Sequence, residues 1–203
     1  MSAAAGEYPG DVLDDRPAER HRQVAGHFAE LTRGAAPDAW DAPSPVPEWA
    51  ARDVVRHLVT WFPQFLAGGS DVVLLAGPSV DDDPVEAWRV HAESVQQVLD
   101  DPEVAGLMFT NPHTGTMPLA QAIDRFYTAD IFLHTWDLAR ATGQEPGLDA
   151  DFALTMVEGM EPMDEFLRGS GQYGPRVEVP EGSDAPTRLI GFIGRDPFWT
   201  APA

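Results

Sequence analysis

The sequence predicts an all-α protein: one domain over residues 1–203, a four-helix bundle with a short irregular carboxy-terminal extension. Three observations predict the bundle. Four or five segments carry apolar residues at spacings of three and four. Pro and Gly fall mainly into clusters between those segments. One long connection, residues 68–83, separates the second segment from the third, as a bundle with a crossover requires.

The first predicted helix covers residues 16–34, where Val24, Phe28 and Leu31 form one stripe. The second covers 49–66. Val54, Leu58 and Phe62 make one row, and Val55, Val59 and Leu66 lie beside it. Pro63 is expected to kink or close it, because proline lacks the N–H that the helix needs. The third covers 84–100, and Pro84 suits its first turn. The fourth covers 118–142 and is the most apolar; Gly143 supplies its carboxy-terminal cap. A fifth covers 149–167, with Met156, Met160, Met163 and Leu167 in line and Pro162 bending it. Residues 106–117 read as extended or as a loop. Val177-Glu178-Val179 reads as a short extended piece, and residues 186–194 as a last short helix.

Composition removes several classes of function. The net charge is −20, which opposes nucleic acid, whose affinity rests on Lys and Arg. It equally opposes an anionic membrane surface. No run approaches the roughly 18 apolar residues of a membrane span. The start, MSAAAGEYPGDVLDD, has neither a basic n-region nor an apolar h-region, so a cytoplasmic location is expected. There is no cysteine, and every one of the 13 basic residues is arginine. A Cys nucleophile, thiolate metal ligands, Schiff-base chemistry and a P-loop lysine are all excluded. Any covalent chemistry needs a borrowed nucleophile, and any metal needs His or carboxylate ligands.

The fourth helix carries Asp130 and His134, four apart and therefore on one face. Phe126, Ile131, Phe132, Leu133, Trp136 and Leu138 surround them. A carboxylate in such company needs an offsetting positive charge. A divalent cation is one candidate; Arg125 or Arg140 is the plainer one. His57 lies between the apolar rows and the charged face of the second helix, where it can point inward. Two histidines and one carboxylate suffice for a catalytic metal with an open position. The Asp130/His134 spacing is a weak signal by itself, since helix-rich chains offer such pairs by chance.

A resemblance sharpens this reading. Pro47-Glu48-Trp49-Ala50-Ala51-Arg52-Asp53-Val54-Val55-Arg56-His57-Leu58-Val59 resembles the second-helix signature of the actinobacterial DinB-like proteins. Leu133-His134-Thr135-Trp136-Asp137-Leu138-Ala139-Arg140-Ala141-Thr142-Gly143 resembles their fourth-helix block, Gly194-Arg195-Asp196-Pro197 their carboxy-terminal motif, and Trp40-Asp41-Ala42-Pro43-Ser44-Pro45 also fits. The likeness is greatest to the subgroup related to mycothiol-dependent maleylpyruvate isomerase. It implies an up-down-down-up bundle with a metal triad at His57, Asp130 and His134, holding zinc or nickel, and mycothiol as cosubstrate. The chain departs from that pattern in three places. Asp130 stands where the family usually has Glu. Ala50 stands where a capping Ser or Thr is usual, leaving Asp53 without a capping-box partner. Pro63 follows His57 closely and bears on the pocket.

The chemistry implied is that of a metal-bound thiolate, which adds to or displaces a group on a small molecule as an isomerase or S-transferase. A metal-activated water, hence a hydrolase, is the alternative, and a bundle that binds small molecules without catalysis is a third reading. Asp137 is placed either as the acceptor that orients a ligand or in a helix-to-helix ion pair. Arg140 and Arg195 are candidates to hold carboxylates of cosubstrate or substrate, against the plainer reading of structural ion pairs. Tyr127, one turn before Asp130, can donate to substrate or simply pack. His21, His27 and His91 are expected to be solvated, His113 to sit in a turn, the Met row to be core, and Asp81-Asp82-Asp83 to be a solvated loop. The expected assembly is a monomer or homodimer.

Overall fold

Helix α1 (Pro17–Gly34) begins on a proline whose fixed φ suits a first turn, and its buried face is Val24, Ala25, Phe28 and Leu31. A computed structural model describes residues 13–202 except 170 and 172. Residues 1–12, most of the stretch read above as lacking a secretory signal, lie outside the described residues. Helix α2 (Ala51–Ala67) runs a turn beyond Pro63, which therefore does not close it. Asp53 is not left without a partner: its carboxylate accepts the Ala50 N–H at 2.8 Å, half of a capping box. Helix α3 (Pro84–Asp100) starts on Asp83, whose side chain accepts the Glu86 N–H at 2.9 Å.

The most apolar segment is one continuous rod with a change of pitch. A turn of α-helix, which follows the one-turn α4 (Pro102–Ala105), opens it as α5 (Leu119–Ala122). A π-helical stretch follows (Ile123–Thr128), and then α6 (Ala129–Ala141). Its backbone stays helical through both junctions. The π stretch gives the rod an extra residue relative to a pure α-helix, so it sets how Tyr127 is turned relative to Asp130 and His134.

Helix α1 packs against α3 and α6, and α2 packs against the same two, so α1 and α2 face each other across an all-α bundle. The core between them is aromatic: Phe28, Phe62, Trp88, Phe109 and Tyr127 are fully buried. Phe62 and Tyr127 stack with centroids 3.8 Å apart.

Residues 106–117 hold an antiparallel hairpin, β1 (Met108–Asn111) and β2 (Gly115–Pro118). It docks at the end of α2 through the Thr110 N–H to the Gly69 carbonyl, 3.0 Å. A Cβ on Gly69 would lie 2.5 Å from the buried Phe109 ring, so this approach requires glycine. The fifth predicted helix is broken at Pro162 into α7 (Ala150–Met160), a 3-10 turn (Glu161–Met163) and α8 (Asp164–Gly169). The Met row is core only in part: Ala153 and Val157 take the buried positions, Met156 and Met160 pack half-buried against the core and Met163 is exposed. The last helix, α9 (Ala185–Phe192), packs on α7. Val177 donates its N–H to the Gly191 carbonyl but belongs to no strand. Among the described residues no helix is long and apolar enough to cross a membrane.

Three histidines depart from the solvated reading. His21 and His91 are buried in the bundle and His27 is half-buried, with Nε2 2.7 Å from the Pro146 carbonyl. His113 is exposed at the hairpin turn.

Candidate metal centre

His57 sits two turns into α2, and Asp130 and His134 sit on successive turns of α6, the helix against which α2 packs. Their ligating atoms all lie within 4.8 Å of one another. His57 Nε2 is 3.2 Å from Asp130 Oδ2, and His134 Nε2 is 3.6 Å from Asp130 Oδ1. The imidazole centroids are 4.8 Å apart. His134 is buried, while His57 and Asp130 each keep part of their surface exposed.

Behind His134 lies a built support. Arg195 donates from Nε to Asp137 Oδ1 at 3.0 Å and from Nη2 to Oδ2 at 3.3 Å. That two-pronged contact gives the fully buried Asp137 carboxylate a charged partner. Asp137 Oδ2 in turn lies 2.8 Å from His134 Nδ1. A carboxylate can only accept, so Nδ1 carries the proton and Nε2 is left to face Asp130. This carboxylate–imidazole arrangement is the one that orients metal-binding histidines. Burial alone would lower the His134 pKa, but the Asp130 and Asp137 carboxylates outweigh it and raise it above the ordinary value. Burial would raise Asp130. The neighbouring His134 and hydrogen bonds from His57 and Trp61 reverse that and hold its pKa below the usual range. A cation placed among these atoms would meet a ready carboxylate and would displace a proton from imidazole. The donor set therefore fits a divalent metal of the zinc or nickel class.

Sequence reasoning missed three aromatic residues. Trp61 donates its indole N–H to Asp130 Oδ2 at 2.9 Å. Trp49 lies against both imidazoles, with centroids 5.1 Å from His57 and 5.8 Å from His134. Tyr173 is close enough for burial and the Asp130 charge to raise its pKa. Trp61 had a signal in the sequence, since it follows His57 by four and shares its face. Trp49 stood in the stretch quoted for the resemblance but lies just before α2, and Tyr173, outside regular helix, had no signal.

Arg140 is elsewhere. Its Nη2 donates to the Trp199 carbonyl at 2.8 Å. It lines a separate cleft of about 280 Å³ with Trp136, Glu145, Asp184 and Thr187, to which none of the triad contributes. Tyr127 is fully buried against Phe62, and its hydroxyl has no hydrogen-bond partner among the described residues.

Residues 21–139, more than half of the chain, match the family described as the mycothiol maleylpyruvate isomerase N-terminal domain. Two uncharacterized proteins of Mycobacterium tuberculosis, one from strain CDC 1551 / Oshkosh and one from H37Rv, are each 26% identical over 187 residues. Those alignments cover 88% of this chain and 97% of each relative. No solved structure matches it.

Proposed function

The chain belongs to the mycothiol maleylpyruvate isomerase N-terminal domain family, and from that premise we propose a divalent-metal-dependent enzyme with mycothiol or a like thiol as cosubstrate. Its reaction is isomerisation of, or S-transfer to, a small molecule. The observation that carries this is the convergence of His57, Asp130 and His134 from two helices within 4.8 Å, with His134 oriented by Asp137. These three residues would hold the ion, zinc or nickel. When bound, it would favour the thiolate form of a coordinating thiol. The absence of cysteine from the chain agrees with a nucleophile supplied by a cosubstrate.

The remaining residues have assignable parts. Arg195 holds Asp137 through Nε and Nη2, and through it fixes His134. Trp49 roofs the imidazoles with an apolar plane and limits water at the centre. Arg140 stays with the other cleft, and Tyr127 with the core.

The test is elemental analysis of protein purified without chelators, alongside His57→Ala. One divalent ion per chain in the wild type and none in the variant is the expected result. Wild-type protein that takes up neither zinc nor nickel would end this reading. Turnover that proceeds equally without added thiol would move the assignment to a hydrolase on the same centre.

A further inference from the structure

We infer that Trp61 is a positioning residue for the metal ligand Asp130, an inference that rests on the metal-dependent reading above. Asp130 has two oxygens and unequal surroundings. Oδ2 takes the Trp61 indole N–H at 2.9 Å and lies 3.2 Å from His57 Nε2. Oδ1 faces His134 Nε2 at 3.6 Å, beyond hydrogen-bond length. Of the two groups at Oδ2, only the indole is a donor in every state, because His57 must give up its Nε2 proton to ligate through that atom. Trp61 therefore keeps one lone pair of Oδ2 occupied and fixes the carboxylate plane whether or not His57 is engaged.

The indole is itself immobilised. Its ring packs edge-on to Phe62, Phe65 and Tyr127, with centroids 5.7, 5.6 and 5.8 Å away. Trp61 and His57 are one turn apart on α2, as Asp130 and His134 are on α6. Each helix thus presents a pair to the centre, and the α2 pair supplies one ligand and one donor. An aspartate has one methylene less than glutamate with which to find its geometry. A fixed donor on the facing helix holds that short side chain in one orientation.

The experiment titrates zinc chloride into wild-type protein and Trp61→Phe, with a chromophoric chelator as competitor. Indole N–H signals of 15N-tryptophan-labelled wild type are followed by NMR in parallel. Phenylalanine keeps the apolar packing and deletes the donor. The expected result is a loss of zinc affinity of roughly 10- to 100-fold, together with a Trp61 N–H signal that shifts as zinc binds. Affinity within about threefold of wild type overturns the inference. So does a weakened variant whose parent shows no zinc-dependent shift of that signal, since an N–H bonded to a ligand oxygen must respond when that oxygen takes up the ion. If Trp61→Phe fails to fold, the wild-type signal decides alone. Wild-type protein that binds no zinc or nickel overturns the metal reading itself, a result distinguishable from the others.

Discussion

Asp137 is the residue on which most of the local electrostatics turns. It is wholly buried and accepts from the Arg195 guanidinium and from His134 Nδ1. Removing the guanidinium leaves a buried carboxylate with only the His134 N–H, at a cost of about 3–5 kcal/mol. Arg195→Met should therefore lower the thermal midpoint by roughly 10 °C for a chain of this size. Arg195→Met combined with Asp137→Asn should recover much of the loss, and circular dichroism melts of the three proteins measure it. Equal midpoints for the single and double variants would show that Asp137 carries no charge in the fold. This partnership was only half legible. The sequence placed Asp137 on the side of His134, but Arg195 lies 58 residues further on, and no periodic pattern links a helix to an irregular tail. His21 escaped for a related reason. It looks polar-faced beside Arg20 and Arg22, and only the fold reveals Gln96 of α3, whose carbonyl oxygen lies 2.8 Å from its Nδ1.

At the scale of elements, the four long helices could be read because each buries one stripe, and that repeat is written directly into the residue order. The π stretch and the hairpin could not. A π turn differs from an α turn by one residue, and residues 108–118 have only one buried side chain among their strands, Phe109, too few to show alternation. Caps are legible in principle and give a further prediction. Helix α2 starts on Ala50, which has no side-chain oxygen to offer, whereas α3 starts on Asp83, which does. Ala50→Ser should stabilise the protein by about 0.5–1 kcal/mol and Asp83→Ala should destabilise it by about 1 kcal/mol. Urea unfolding midpoints would show opposite shifts; a shift of the same sign in both would refute the capping account.

Across the whole molecule, acid is the condition to which the bundle is most vulnerable. Burial lowers the pKa of both His21 and His91 to about 4, and for His91 the neighbouring His21 adds to the effect. Below pH 6.5 the unfolded chain takes up both protons, while the folded chain resists until about 4. The unfolded state then binds more protons, so stability falls as pH drops from 6.5 to 4, by an amount of order 3 kcal/mol per histidine. His91→Leu should flatten that part of a pH–midpoint curve, and an unchanged slope would show that His91 is not the group responsible. A net charge of −20 adds a second global term, since like charges repel in the compact state. Raising sodium chloride from about 10 mM to 0.5 M, which shortens the screening length severalfold, should raise the thermal midpoint.

The Arg195–Asp137 contact has one more consequence. The stretch matched by the family model ends at residue 139, yet the guanidinium paired with Asp137 comes from residue 195. A fragment cut at residue 139 would retain every imidazole and carboxylate of the centre and lose the counter-ion beneath them. The matched stretch and the ion-paired unit have different borders, so any transplant of this centre into another scaffold has to carry the tail along.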